Sequence, residues 1–131
     1  MTSLLLVEDH AIFAQALQRM LSERAQLEVK AIASSAEQAL ETLERVDVDL
    51  VLVDVSLPHR SGFSLVNTLR QKYPHIPCVM LSGHLSPHHM RRALRAGARG
   101  YLIKDHTSEI LDGIQRVLKG EIYVCEQLRE R

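Results

Sequence analysis

The chain has 131 residues, 46% of them apolar, a length and composition that suit one globular domain with its own core and exclude a disordered chain. Sixteen Lys and Arg balance sixteen Asp and Glu, so global charge points to neither a nucleic acid nor a membrane surface. No apolar run approaches the length of a membrane span.

Met1-Thr2-Ser3 lacks the basic segment of a signal peptide and leads straight into an apolar run, Leu4 to Val7. Phe13, Leu17, Met20 and Leu21 then follow helical spacing. A weaker run, Val29 to Ala33, is interrupted by Lys30 and reads as an edge strand. Ser34 and Glu37 have the spacing of a capping box before a helix marked by Ala36, Ala39, Leu40 and Leu43. Leu50 to Val53 is a third strand, and Leu65, Val66 and Leu69 mark a third helix. Cys78 to Leu81 is a fourth strand. Ser86 and Pro87 supply an N-cap and first turn before Met90, Ala93 and Leu94. Tyr101 to Ile103 is a fifth strand, and Ile110, Ile114, Val117 and Leu118 mark a fifth helix that Gly120 would stop.

Four of these runs are nearly continuous rather than alternating, as strands covered on both faces are. Strand followed by helix, five times, predicts an α/β fold: a doubly wound, five-stranded parallel sheet of flavodoxin-like order 2-1-3-4-5, with helices on both faces. Ligands of such sheets sit outside the carboxyl ends of the strands, at the switch point. There the sequence places Glu8 and Asp9 after the first strand, Asp54 after the third, Ser82 after the fourth and Lys104 after the fifth.

Three carboxylates in one pocket raise each other's pKa and call for a cation. A hard divalent ion such as Mg²⁺ suits an all-oxygen site and keeps room for water and a phosphate oxygen. Lys104 adds a compact positive charge. A carboxylate in this setting can attack phosphorus to form an aspartyl phosphate, with the metal and the lysine stabilising the transferring group. Each residue has a plainer reading: Asp9 as a helix cap, Asp54 as a turn cap before Pro58, Ser82 as a loop residue, Lys104 as a solvated charge. The convergence of all of them on one edge favours chemistry.

The segments LLLVEDH, LVLVDVSLPHRSG, VMLSGH and GYLIKD, with Pro58 four and Gly62 eight residues after Asp54, resemble the receiver domain of two-component response regulators. The likeness spans about residues 3 to 120, and GYLIKDHTSEIL with IQRVLKGEIYV is similar to the NarL/LuxR-type subfamily. It implies that Asp54 is the phosphoacceptor and that Glu8, Asp9, Asp54 and the backbone carbonyl of Ser56 hold Mg²⁺. Ser82 and Lys104 would bind the phosphoryl oxygens, and Tyr101 would be the switch aromatic. It further implies a sensor histidine kinase as partner, no enzyme activity beyond the domain's own phosphoryl transfer and dephosphorylation, and dimerisation on phosphorylation. DNA would be reached only through an effector domain beyond residues 121–131, which read as a tail or the start of a linker. Asp105 stands where many receivers have proline after the lysine, a bond often cis; a cis bond before a non-proline residue costs about 3–4 kcal/mol.

Other classes fit less well. A flavin site needs a glycine- and hydroxyl-rich loop where Glu8, Asp9 and His10 stand. A dinucleotide site needs GxGxxG, which is absent. A haloacid dehalogenase-type phosphatase has a second aspartate where Ser56 stands. A pseudo-receiver acting by protein contact alone is the remaining alternative. Cys78 and Cys125 lack ligand spacing and read as free thiols, with a cytoplasmic location expected. The adjacent His88 and His89 do not share a helix face and give no zinc site. Arg91, Arg92, Arg95 and Arg99 form a basic cluster near the fourth helix, read as a solvated face or a partner contact.

Overall fold

Apolar runs become strands here because helices cover both of their faces. The computed structural model describes residues 2–24 and 27–129. In chain order it contains β1 (Thr2–Val7), α1 (Ala11–Arg24), β2 (Leu27–Ala33), α2 (Ala36–Leu43), β3 (Leu50–Asp54) and α3 (Gly62–Lys72). There follow β4 (Cys78–Ser82), α4 (Pro87–Ala96), β5 (Gly100–Ile103), α5 (Thr107–Leu118), β6 (Tyr123–Val124) and a 3₁₀ turn, Glu126–Leu128. The strands form one parallel sheet in the order β2-β1-β3-β4-β5-β6.

The pleat sends alternate residues to opposite layers. Leu5, Val7, Val51, Val53 and Met80 pack beneath α2, α3 and α4 through Ala39, Leu43, Val66, Leu69 and Ala93. Leu4, Leu6, Leu50, Leu52, Val79 and Leu81 pack beneath α1 and α5 through Leu17, Leu21, Ile110, Ile114 and Val117. The central strands β3 and β4 are buried at every residue, whereas β2, at the edge, alternates buried and exposed positions.

Two local expectations shift. The cap of α2 is Ser35, not Ser34: the Ser35 side chain accepts from the Gln38 amide, and Gln38 Oε1 accepts from the Ser34 amide at 2.7 Å. The box is built one residue later, with glutamine in the reciprocal role. The expected sheet of five strands also gains a sixth, β6, short but fixed by backbone bonds from Tyr123 N to Arg99 O and from Cys125 N to Tyr101 O, both 2.9 Å. Ser86 caps α4 as its sequence suggests, and Gly97, with φ of 113°, ends that helix in the left-handed region that glycine tolerates. The Lys104–Asp105 bond is trans. Cys78 and Cys125 are free and buried. Among the described residues no helix is long and apolar enough to cross a membrane.

Candidate functional site

The carboxyl ends of β1, β3, β4 and β5 bring Glu8, Asp54, Ser82 and Lys104 to one edge. Among the described residues, Glu8, Asp54 and Ser82 are the only buried polar or charged ones in an otherwise apolar interior. Buried charge is tolerated only when paired, and the pairing is visible. Lys104 Nζ lies 2.7 Å from Glu8 Oε1 and 3.1 Å from Asp54 Oδ2, bridging two carboxylates from different strands. Glu8 Oε1 is fully buried, and the Lys104 ammonium is the group that neutralises it. Glu8 Oε2 accepts from the His10 amide at 3.0 Å. The Phe13 ring lies 5.0 Å from Lys104 Nζ, an aromatic face against the ammonium.

Burial, then the Glu8 charge, push the Asp54 carboxyl from 3.8 up to about 6, against the pull of Lys104. Burial works against the Lys104 ammonium, but Glu8 and Asp54 outweigh it and hold its pKa above the ordinary value. Asp9, exposed beside Glu8, adds a third carboxylate to the two that meet the ammonium, a negative surplus that a divalent cation would neutralise. Glu8, Asp9 and His10 can bring one ligand atom each within 4.8 Å of one another, and the two carboxylates of that group suit a hard cation.

The remaining residues stand as follows. Asp9 is exposed at the mouth of the site. The Ser56 amide donates to Asp54 Oδ1 at 3.2 Å and so orients the carboxylate. Ser82 Oγ does not reach Asp54. It donates to the His84 carbonyl and accepts from the His84 amide, both at 3.1 Å. Tyr101 is turned inward and fully buried, and its hydroxyl donates to the same His84 carbonyl at 3.2 Å. One backbone oxygen therefore serves both hydroxyls.

Two contributors escaped the sequence reading. Phe13 enters the sequence reading only as a position in a helical spacing; its place in the first turn after the acid pair is the signal that could have found it. Gly62 was noted only as motif. Its amide donates to the Val55 carbonyl at 3.1 Å, and a Cβ there would collide with the Asp54 carbonyl oxygen. The start of α3 thus packs directly on the backbone of the acidic residue. A groove at the amino ends of the strands, lined by Arg70, His75, Cys78, Arg99 and Gly120, lies away from this chemistry.

Half-buried Lys104 thus bridges two strand-end carboxylates beside a third, and the family model for the response regulator receiver domain matches residues 4–116. The chain belongs to that family. Within it, the chain is of NarL/LuxR type. It is 31% identical to the nitrate/nitrite response regulator protein NarL of Escherichia coli K12 over 96% of its own length and 59% of that protein. It is 28% identical to the transcriptional regulatory protein DegU of Brevibacillus brevis over 92% of its length and 52% of that protein. The receiver chain thus spans about half the length of these curated relatives. Among solved structures, a LuxR-family response regulator from Aurantimonas sp. SI85-9A1 superposes with a TM-score of 0.92 at 25% identity, covering 98% of this chain and 93% of that one. The receiver domain of a NarL regulator from Mycobacterium tuberculosis does so at 0.84 and 26%, covering 92% and 98%.

Proposed function

We propose that this receiver domain is phosphorylated on Asp54 by a sensor histidine kinase and controls a DNA-binding domain that follows it in a longer regulator. The observation that carries the reading is the Lys104 bridge between buried Glu8 and Asp54, which holds an ammonium where charge develops in phosphoryl transfer. One Asp54 carboxylate oxygen attacks phosphorus, the P–N bond of the phosphohistidine breaks, and the leaving imidazole takes up a proton. Mg²⁺, held by Glu8, Asp9, Asp54 and the Ser56 carbonyl, would neutralise charge on the phosphoryl oxygens. Lys104 binds one of those oxygens, and Ser82 Oγ releases the His84 carbonyl to bind another. Tyr101, already inward, keeps its bond to that carbonyl and carries the change to the β5 face. The domain would work in the cytoplasm and pair with a second copy when phosphorylated. The DNA-binding partner domain rests on DegU being a transcriptional regulatory protein of which this chain spans 52%.

The test is intact-mass measurement after incubation with Mg²⁺ and acetyl phosphate. A base-labile, acid-stable phosphate adduct is expected, absent in Asp54→Ala. No adduct, with no binding of beryllofluoride, would favour a pseudo-receiver that acts by contact alone.

A further inference from the structure

Global neutrality hides a segregation of charge. Between Asp54 and Asp105 not one of the fifty residues is Asp or Glu, yet that span carries eight Lys and Arg and five of the seven histidines. The rest of the chain holds all sixteen carboxylates against the other eight basic groups. The acid-free span builds α3, β4, α4 and β5, so the segregation in sequence becomes a segregation in space.

Six of its cations, Arg70, Lys72, Arg91, Arg92, Arg95 and Arg99, are exposed. None of them has a carboxylate within ion-pair distance among the described residues. Arg92 and Arg95 line the groove between α3 and α4 together with Asn67. The Arg92 guanidinium is held 4.4 Å over the Phe63 ring, which fixes its direction. Glu37, Glu41 and Glu44 stand exposed along one face of α2, at the other end of the same layer. The domain is therefore strongly dipolar, and a polyanion meets it with only one side favoured.

We infer that the α3–α4 face docks on the sugar-phosphate backbone of duplex DNA. The proposal rests on the function above only for delivery, because a tethered DNA-binding domain would hold this face beside the duplex. Magnitudes choose the occupant. A second copy could offer its α2 stripe, but an exposed ion pair shifts an equilibrium by only about fivefold at most. A duplex presents a phosphate about every 1.7 Å of axis, and each neutralised phosphate releases counterions. Phe63 and Tyr101, aromatics of this span, are buried, and Tyr73 is half-buried. There is thus no open stacking platform of the kind single strands use.

The test is fluorescence anisotropy of a labelled 20-base-pair duplex of arbitrary sequence with the 131-residue chain. Binding with Kd below about 100 μM at low salt is expected, weakening about 100-fold as salt rises fourfold, as four phosphate contacts require. The triple variant Arg91→Ser, Arg92→Ser, Arg95→Ser should lose at least about tenfold in affinity and flatten the salt slope by about three. Arg19→Ser with Arg45→Ser, exposed arginines outside the face, should change neither. No binding at low salt, or equal loss in the control variant, overturns the proposal. So does low-salt self-association in sedimentation that the triple variant abolishes without any duplex binding, which would assign the face to a second copy. The acetyl phosphate adduct is measured on the same samples. An adduct missing from wild type and variant alike, with duplex binding intact, would count against the phosphoacceptor reading and leave this one supported.

Discussion

At the scale of single residues, the acid–base state of Asp54 sets several observables. Its carboxyl titrates at about 6 in the fold, against 3.8 for the ordinary group, through burial and then the Glu8 charge. Between those values the native protein holds a proton that the unfolded chain has lost. Stability contributed by this group is therefore lost as pH rises through that window and stays lost above it. Asp54→Asn keeps the shape and removes the charge, so it should stabilise the domain by about 1–2 kcal/mol at neutral pH and by almost nothing below pH 4. Urea midpoints at the two pH values check this; an equal gain at both would mean that charge is not the cause. The attacking group must be ionised, so adduct formation with acetyl phosphate should slow below about pH 6. Lys104 keeps its proton throughout that range, its pKa being raised by Glu8 and Asp54 despite burial.

At the scale of elements, the start of α3 and the segment after α5 show what spacing alone leaves unexplained. Gly62 lets α3 begin against the Asp54 carbonyl oxygen. Gly62→Ala should cost about 2–3 kcal/mol through overpacking and should also slow adduct formation, because the displaced backbone carries the acceptor. Loss of stability with an unchanged phosphorylation rate would separate the two effects. Glu109, in the first turn of α5, accepts at 2.8 Å from both the Tyr123 hydroxyl and the Glu126 amide. Burial and that carboxylate push the Tyr123 hydroxyl up to about 12. Glu109→Ala removes the one acceptor that serves both donors, with an expected cost of about 1–2 kcal/mol and faster hydrogen exchange at the Glu126 amide.

The long strands were legible because burial on both faces writes an unbroken aliphatic run, and the polar residues that end those runs marked the site. β6 was not legible, because two residues carry no periodicity. The α2 cap was misplaced because Ser34 and Ser35 both present hydroxyls, and both Glu37 and Gln38 can reciprocate. The Lys104 bridge is a tertiary fact with no local signature, and so is the Ser82 hydroxyl facing His84 rather than Asp54.

At the scale of the whole molecule, the net charge of zero concealed a basic and an acidic side, because a sum carries no position. Metal linkage is also a global readout. Mg²⁺ at about 100 times its Kd should stabilise the fold by about 2.7 kcal/mol, a gain that Asp9→Asn should diminish. Thermal melts with and without the ion measure it, and an identical gain in the variant would remove Asp9 from the ligand set. A last consequence belongs to β6. Helix α5 descends to the amino edge of the sheet, where Val117 and Leu118 stand beside Pro77 and Cys78. A chain leaving there would depart from the pole opposite Asp54. Because β6 runs parallel to β5 and Glu126 is tied to the first turn of α5, the chain doubles back before it leaves. Glu126 therefore stands at the same pole as Asp54, so a change of charge there lies next to this end of the described chain instead of a full strand length away.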